Sequence, residues 1–224
     1  MKIIFLGQAG LLFDLDGVRV MVDPYLSNSV ERVEPKNYRR QPIDGEYFDI
    51  KPDILILTHN HLDHTDPETL EKLFSRHNGI CVLASGNAWQ TARKFGGDNN
   101  YVRFNRGTVW TEKNIRFEAV HAEHSDDMAV GVIISYGGKS YYITGDTLYN
   151  KKVIKDINVP IDAVFLPING VGNNMNMTDA AQLAREIKAK IAVPVHFGMF
   201  DSLNAEKFDF KNKIIPEIYK EIKL

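Results

Sequence analysis

The sequence predicts an α/β fold of four layers, an αββα sandwich in which two β-sheets pack face to face with helices outside. Three observations predict it. Apolar runs of strand length recur along the whole chain, helical patterns lie between several of them, and no Pro/Gly/Ser-rich linker or short-period repeat divides the 224 residues. Two packed sheets with outer helices bury all of these runs, so residues 1–224 read as one domain.

Residues 2–6 (KIIFL) form a strand that ends at Gly7. Apolar runs at 11–15 and 18–22 flank Asp16-Gly17, a strong hairpin signal. Residues 25–50 are polar, carry Pro35 and Pro42 and lack periodicity, which predicts a long loop with one helical turn. DILIL at 53–57 is a short strand. Asp66-Pro67-Glu68 then starts a helix that runs to about Arg76, with Asp66 as cap and Pro67 in the first turn. ICVLA at 80–84 is a strand, 87–95 a helix and 115–121 a strand. Residues 130–136 and 139–145 form a hairpin around Gly137-Gly138, and 161–168 is a strand. Thr178 to Lys190 is an amphipathic helix, with Ala181, Leu183, Ala184 and Ile187 on or near one face. IAVPV at 191–195 delivers His196, and a last helix is expected to close the chain.

Composition narrows the function classes. The chain is 44% hydrophobic and 25% charged with net charge −2, which argues against an extended nucleic-acid partner. Cys81 is the only cysteine, so an intrachain disulfide is impossible, in keeping with a reducing compartment. The N-terminus lacks the long apolar stretch of a secretory signal, and no run reaches membrane-spanning length. A soluble cytoplasmic protein acting on a small molecule is expected, without a membrane partner. A homo-oligomer stays open.

The chemistry concentrates in Thr58-His59-Asn60-His61-Leu62-Asp63-His64, directly after an apolar strand. Imidazole and carboxylate suit Zn²⁺, Mn²⁺ and Fe²⁺. On extended backbone, residues two apart point the same way, so His59 and His61 can share one ion. Asp63 and His64 follow a turn and can reach a second. A polar loop capping the next helix is the plainer alternative. Six of the seven histidines lie at strand ends or in the loops there: His59, His61, His64, His121, His124 and His196. His77 lies near a helix C-terminus, where a cation is favourable for ordinary reasons. Asp146 ends an apolar strand, where a carboxylate is costly unless it is paired or binds a metal. Its other reading is the N-cap of a helix over 147–155.

This HxHxDH segment, the later His-Ser, Gly-Asp-Thr and Pro-x-His resemble the ordered motifs of the metallo-β-lactamase fold. More narrowly, LGQAG at 6–10, DPYLS at 23–27, YYITGDTLY at 141–149, the Asn-rich stretch before MTDA at 177–180, and VPVHFGMF at 193–200 resemble the L-ascorbate-6-phosphate lactonase branch. The resemblance implies two divalent ions, Zn or Mn, with Fe as a further candidate. By position, His59, His61 and a histidine of segment 121–124 would hold the first ion. Asp63, His64 and His196 would hold the second, and Asp146 would bridge both. His124 is favoured over His121 because it stands at the strand exit before Ser125. His121 then either supports the ligands or belongs to the core. Asp23 matches an aspartate that orients the ligand loop.

The resemblance further implies a hydrolase in which a hydroxide held by two ions attacks a small anionic ester or lactone, with Asp63, His61 and Asp146 as catalytic residues. A phosphodiesterase or nuclease of the same fold is the alternative. A di-iron oxidoreductase is disfavoured because that branch commonly carries glutamate where His61 stands. Asn169, Asn173, Asn174 and Asn176 are candidates for hydrogen bonds to substrate, although Asn and Gly also suit left-handed turn positions. Tyr25 and the 25–50 loop are candidates for a lid over the site. Arg39 and Arg40 read as a solvated pair or as contacts for an anion, and Phe197, Met199 and Phe200 as pocket wall or core.

Overall fold

The hairpin signal at Asp16-Gly17 is realised by two successive left-handed residues, φ 53° and 83°, the backbone of a type I′ turn. In a computed structural model that describes residues 1–224, this turn joins β2 (Gly10–Leu15) to β3 (Val18–Val22), and β1 (Lys2–Gly7) pairs antiparallel with β2. Three parallel strands extend the sheet: β4 (Ile54–Leu57), β5 (Cys81–Ala84) and β6 (Asn100–Arg103), in the order β1-β2-β3-β4-β5-β6. The second sheet begins as an antiparallel meander of β7 (Val109–Glu112), β8 (Ile115–His121), β9 (Val130–Tyr136) and β10 (Lys139–Ile143). It ends in parallel β11 (Ala163–Pro167) and β12 (Ile191–Val195).

The expected four layers follow from strand alternation. Ile54 and Ile56 of β4 point between the sheets, while Leu55 and Leu57 point to the outer helices. Ala163 and Phe165 of β11 face inward, and Val164 and Leu166 face the other helical layer. Runs that are apolar at every position are thus buried on both faces. The largest buried cluster, 25 residues, lies between the sheets.

Five α-helices flank them: α1 (Ser29–Val33), α2 (Pro67–Arg76), α3 (Gly86–Ala92), α4 (Lys151–Lys155) and α5 (Met177–Glu186). The start of α2 matches its sequence signal, with the Asp66 side chain accepting from the Glu68 and Thr69 amides. No helix is long and apolar enough to cross a membrane.

Three expectations need correction. No helix closes the chain: beyond α5 and β12 there is one 3₁₀ turn, Ala205–Lys207, and then irregular backbone. That segment lies along β1, where Phe5 N donates to Lys220 O at 3.2 Å and Ile222 N to Ile3 O at 2.8 Å. Ile218, Ile222 and Leu224 pack on the inter-sheet core. The helical spacing of these apolar residues is overridden by an open sheet edge that needs partners. Next, β6 and β7 add two strands that the sequence does not announce, because both are short and half exposed, without an apolar run. Last, Asp146 caps no helix: α4 begins later and is capped by Asn150.

Candidate metal centre

The site lies where strands of both sheets end together. Loops after β1, β3 and β4 of the first sheet supply Gln8, Asp23 and the segment from Thr58 to His64. Loops after β8, β10 and β12 of the second supply His124, Asp146 and His196. Gln8, Asp23 and His196 have φ of 52°, 41° and 58°, a costly left-handed conformation for such residues. Hydrogen bonds hold it: His196 N donates to Gln8 O at 2.7 Å and Asp23 N to Ile56 O at 3.0 Å. Gly145, at φ 61°, leaves no room for a side chain, since a Cβ would stand 2.9 Å from Val130 O and 3.1 Å from Thr58 Cβ. Glycine there lets the Asp146 loop press against the end of β4.

Seven side chains from these loops converge. His59, His61, His124 and Asp146 form one group whose ligand atoms lie within 4.8 Å of one another, and Asp63, His64 and His196 form another. Asp146 touches both. Its Oδ2 is 3.1 Å from His196 Nε2 and 4.0 Å from the Nε2 atoms of His59 and His124, and its Oδ1 is 3.3 Å from His64 Nε2. A third group, Asp23, His59 and His64, is accounted for by hydrogen bonds.

Those bonds decide which imidazole nitrogen is presented. Thr58 Oγ1 donates to Asp23 Oδ2 at 2.5 Å, so it accepts from His59 Nδ1 at 3.0 Å. His64 Nδ1 donates to Asp23 Oδ2 at 2.9 Å, and His124 Nδ1 to Asn173 O at 3.1 Å. In all three rings Nδ1 is engaged and Nε2 turns into the cluster. His61 turns Nδ1 to within 3.1 Å of His124 Nε2. Asn174 Nδ2 donates to Asp146 Oδ2 at 2.8 Å, and Gln8 Nε2 to Asp63 Oδ2 at 2.7 Å.

The donor set fits divalent cations. His59 Nε2, His64 Nε2 and Asp146 Oδ1 are buried without a hydrogen-bond partner, an arrangement that costs about 1–3 kcal/mol per group unless something else satisfies it. Electrostatics agree. Burial, with His64 close by, pushes the His59 imidazole well below its ordinary range. Burial also acts against charge on His64 and His196. Around His64 the carboxylates of Asp146, Asp63 and Asp23 prevail and hold it well above the usual range, and Asp146 and Asp63 raise His196 to about 9. Burial opposes ionisation of Asp63 and Asp146, but the neighbouring imidazoles His64 and His196 outweigh it and hold both carboxyls low. Ionised carboxylates here draw positive charge to themselves, and Nε2 atoms stand ready to share it.

A cleft of about 870 Å³ opens onto the cluster, with His61, Asp63, Asp146 and His196 in its wall. Val30 and Val33 of α1 line it, as do Lys36 and Asn37 from the 25–50 segment. Facing them are Asn169, Val171, Asn174 and Phe200. Asn169 lines the cleft, whereas Asn174 is buried and occupied with Asp146. Tyr25 is a correction. It is fully buried, its ring packs against Phe200 and the Arg39 guanidinium, and its hydroxyl accepts from Val30 N, so it cannot touch a substrate. Arg39 donates to the carbonyls of Gln41 and Tyr25, which makes it a strut of this loop. His121 lies outside all three groups, paired with Glu123 at 3.2 Å in a half-exposed position, neither core nor ligand. Gln8 and Thr58 were missed as site residues. A polar side chain between two glycines at a strand end was the available signal for Gln8; Thr58 offered none beyond its place before His59.

The family described as Beta-lactamase superfamily domain matches residues 18–197. The chain belongs to the beta-lactamase superfamily. A metal-dependent hydrolase of the UPF0173 group from Thermoplasma acidophilum is 31% identical to this superfamily member over 100% of the chain and 99% of its own length. One from Staphylococcus saprophyticus is 29% identical over 96% of the chain and 93% of its own length. Among solved structures, a metallo hydrolase from the archaeon Ignicoccus hospitalis superposes with TM-score 0.79 at 20% identity, covering 99% of this chain and 97% of that one. The beta-lactamase superfamily fold is thus shared across both sheets and the loops that carry the histidines.

Proposed function

We propose that the chain is a metal-dependent hydrolase of a small ester or lactone with an anionic substituent, in the manner of the L-ascorbate-6-phosphate lactonase branch. The observation that carries the reading is the convergence of His59, His61, His124 and Asp146 beside Asp63, His64 and His196, with Asp146 reaching both sets. Relatives aligned over nearly the whole chain are named metal-dependent hydrolases, which supports the class. His59, His61 and His124 would hold one ion, Asp63, His64 and His196 a second, and Asp146 both; Zn²⁺ and Mn²⁺ suit these donors. Such ions, when bound, supply Lewis acidity and bring the pKa of water down to about 7.

The chain's own residues do the rest. Asp23 and Thr58 keep the His59 and His64 rings in one tautomer. Gln8 and His196 both address Asp63 Oδ2, which leaves Oδ1 to take the proton of the attacking water. Val30, Val33, Leu62, Val171 and Phe200 form the apolar part of the cleft, which limits water around the scissile carbonyl. Lys36, the one lysine or arginine in the lining, meets the anionic substituent.

The test is a screen of lactones, carboxylic esters and bis-p-nitrophenyl phosphate on protein reconstituted with Zn²⁺ or Mn²⁺, with His61→Ala as control. Lactone or ester turnover that disappears in the control is expected. Turnover confined to the phosphodiester would make it a phosphodiesterase, and activity unchanged by His61→Ala would overturn the metal-dependent reading.

A further inference from the structure

In the loop that carries His124 lies a further buried carboxylate with no part in the proposed chemistry. Asp126 is 8% exposed, and its side-chain partners are all neutral. Oδ1 accepts from Asn87 Nδ2 at 2.6 Å and from Met128 N at 3.0 Å, and Oδ2 accepts from Asn60 N at 2.8 Å. Burying a carboxylate among neutral donors is costly, so the arrangement calls for a reason. The bond to Met128 N is a local turn and explains one oxygen only. The bond to Asn60 N crosses from a loop of the second sheet to a loop of the first.

What it joins is specific. Asn60 stands between His59 and His61, and Asp126 stands two residues after His124. A single carboxylate therefore ties the backbone carrying two of these imidazoles to the loop carrying the third. Asn87, from the first turn of α3, holds the other oxygen and also reaches Asp127 at 3.2 Å. The other half of the centre is held by different groups: Asp23 bonds His64, and Gln8 bonds Asp63 and lies against His196.

We infer that Asp126, backed by Asn87, is a positioning residue that sets the mutual placement of His59, His61 and His124 and so tunes cation affinity in that half of the centre alone. The inference rests on the two-ion reading above, and binding steps resolved one by one separate the two. Co²⁺ titration followed by visible absorption, with chelator competition, is to be run on wild type, Asp126→Ala, Asp126→Asn and Asn87→Ala, each checked for fold by circular dichroism. Wild type is expected to show two steps. Asp126→Ala is expected to weaken one step by about 10–100-fold and leave the other unchanged. Asn87→Ala should shift the same step by a smaller factor, and Asp126→Asn, which can keep an oxygen on Asn60 N while the Asn87 amide turns its oxygen to the new donor, should recover part of the loss. Two unchanged steps, or equal weakening of both, would overturn the inference; if Asp126→Ala fails to fold, Asn87→Ala decides by the same criterion. A wild type that takes up one ion refutes the two-ion reading, and the inference then stands or falls on whether Asp126→Ala weakens that single step. No uptake at all refutes both.

Discussion

Asp23 accepts from Thr58 N at 2.8 Å, from Thr58 Oγ1 and from His64 Nδ1, and it is fully buried. Three donors depend on one carboxylate, so its replacement strands buried polar groups. Asp23→Asn keeps the volume but turns one acceptor oxygen into a donor, which faces donors already in place. We expect a loss of about 1–3 kcal/mol in urea unfolding of the metal-free protein. Metal affinity is expected to fall by about 10–100-fold as His59 and His64 lose their fixed tautomer. Wild-type affinity in this variant would show that the imidazoles orient themselves. His196 illustrates the same scale differently: its left-handed backbone is strain held by one hydrogen bond to Gln8 O, at a position that aims its ring at Asp146.

Among the elements, α2 starts immediately after the histidine segment and fixes where that segment ends. Asp66 caps it and also bonds Thr69 Oγ1, which in turn accepts from Leu26 N at 2.9 Å. Asp66→Ala should therefore cost about 1–2 kcal/mol, at the upper end for a cap, as read by thermal denaturation. Near α4 the control is ionic. Asp156 binds Arg106 through both oxygens, at 2.6 and 2.7 Å, and accepts from His121 N at 2.9 Å. The Arg106 hydrogen bond, set against modest burial, holds the Asp156 carboxyl below its ordinary range. A carboxyl lowered in the folded state contributes its stability above the unfolded pKa of about 4 and loses it as pH falls through the folded value. The stability gap between wild type and Asp156→Asn should therefore be flat from neutral pH to about 4 and close below it. A gap that stays constant in acid would show that the charge plays no part.

At the scale of the whole molecule, both sheets must close around one core before the loops can meet. The C-terminal segment takes part in that closure, because it supplies partners to β1 and apolar cover to the inter-sheet cluster. Truncation after Asn212 removes Ile214, Ile218, Ile222 and Leu224 together. We expect it to expose the β1 edge and produce a lower melting temperature with concentration-dependent light scattering. A truncated chain that stays monodisperse and melts like wild type would show that the β1 edge needs no cover. The same closure sets the cleft, since its walls come from α1 on one side and the loop after β11 on the other.

How much of this was legible depends on range. The His59–His64 segment, the Asp16-Gly17 turn and the Asp66-Pro67 helix start are written in neighbouring residues, because spacing and local hydrogen bonding act within a few positions. The alternation and length of the apolar runs likewise announced two sheets with helices outside, since strands apolar on both faces need cover on both. Hidden from the sequence were matters settled by contacts distant along the chain. The place of His121 outside the cluster and paired with Glu123, the burial of Tyr25 and the bond from Asp126 to Asn60 all depend on how two sheets meet. The fate of residues 213–224 is of the same kind: their own apolar pattern suits a helix, and the free edge of β1, more than 200 residues away, draws them into extended backbone. Local signals named the chemistry and the layers; only the closed sandwich decided which side chains share a site, because that follows from which surfaces are left without partners once each element has formed.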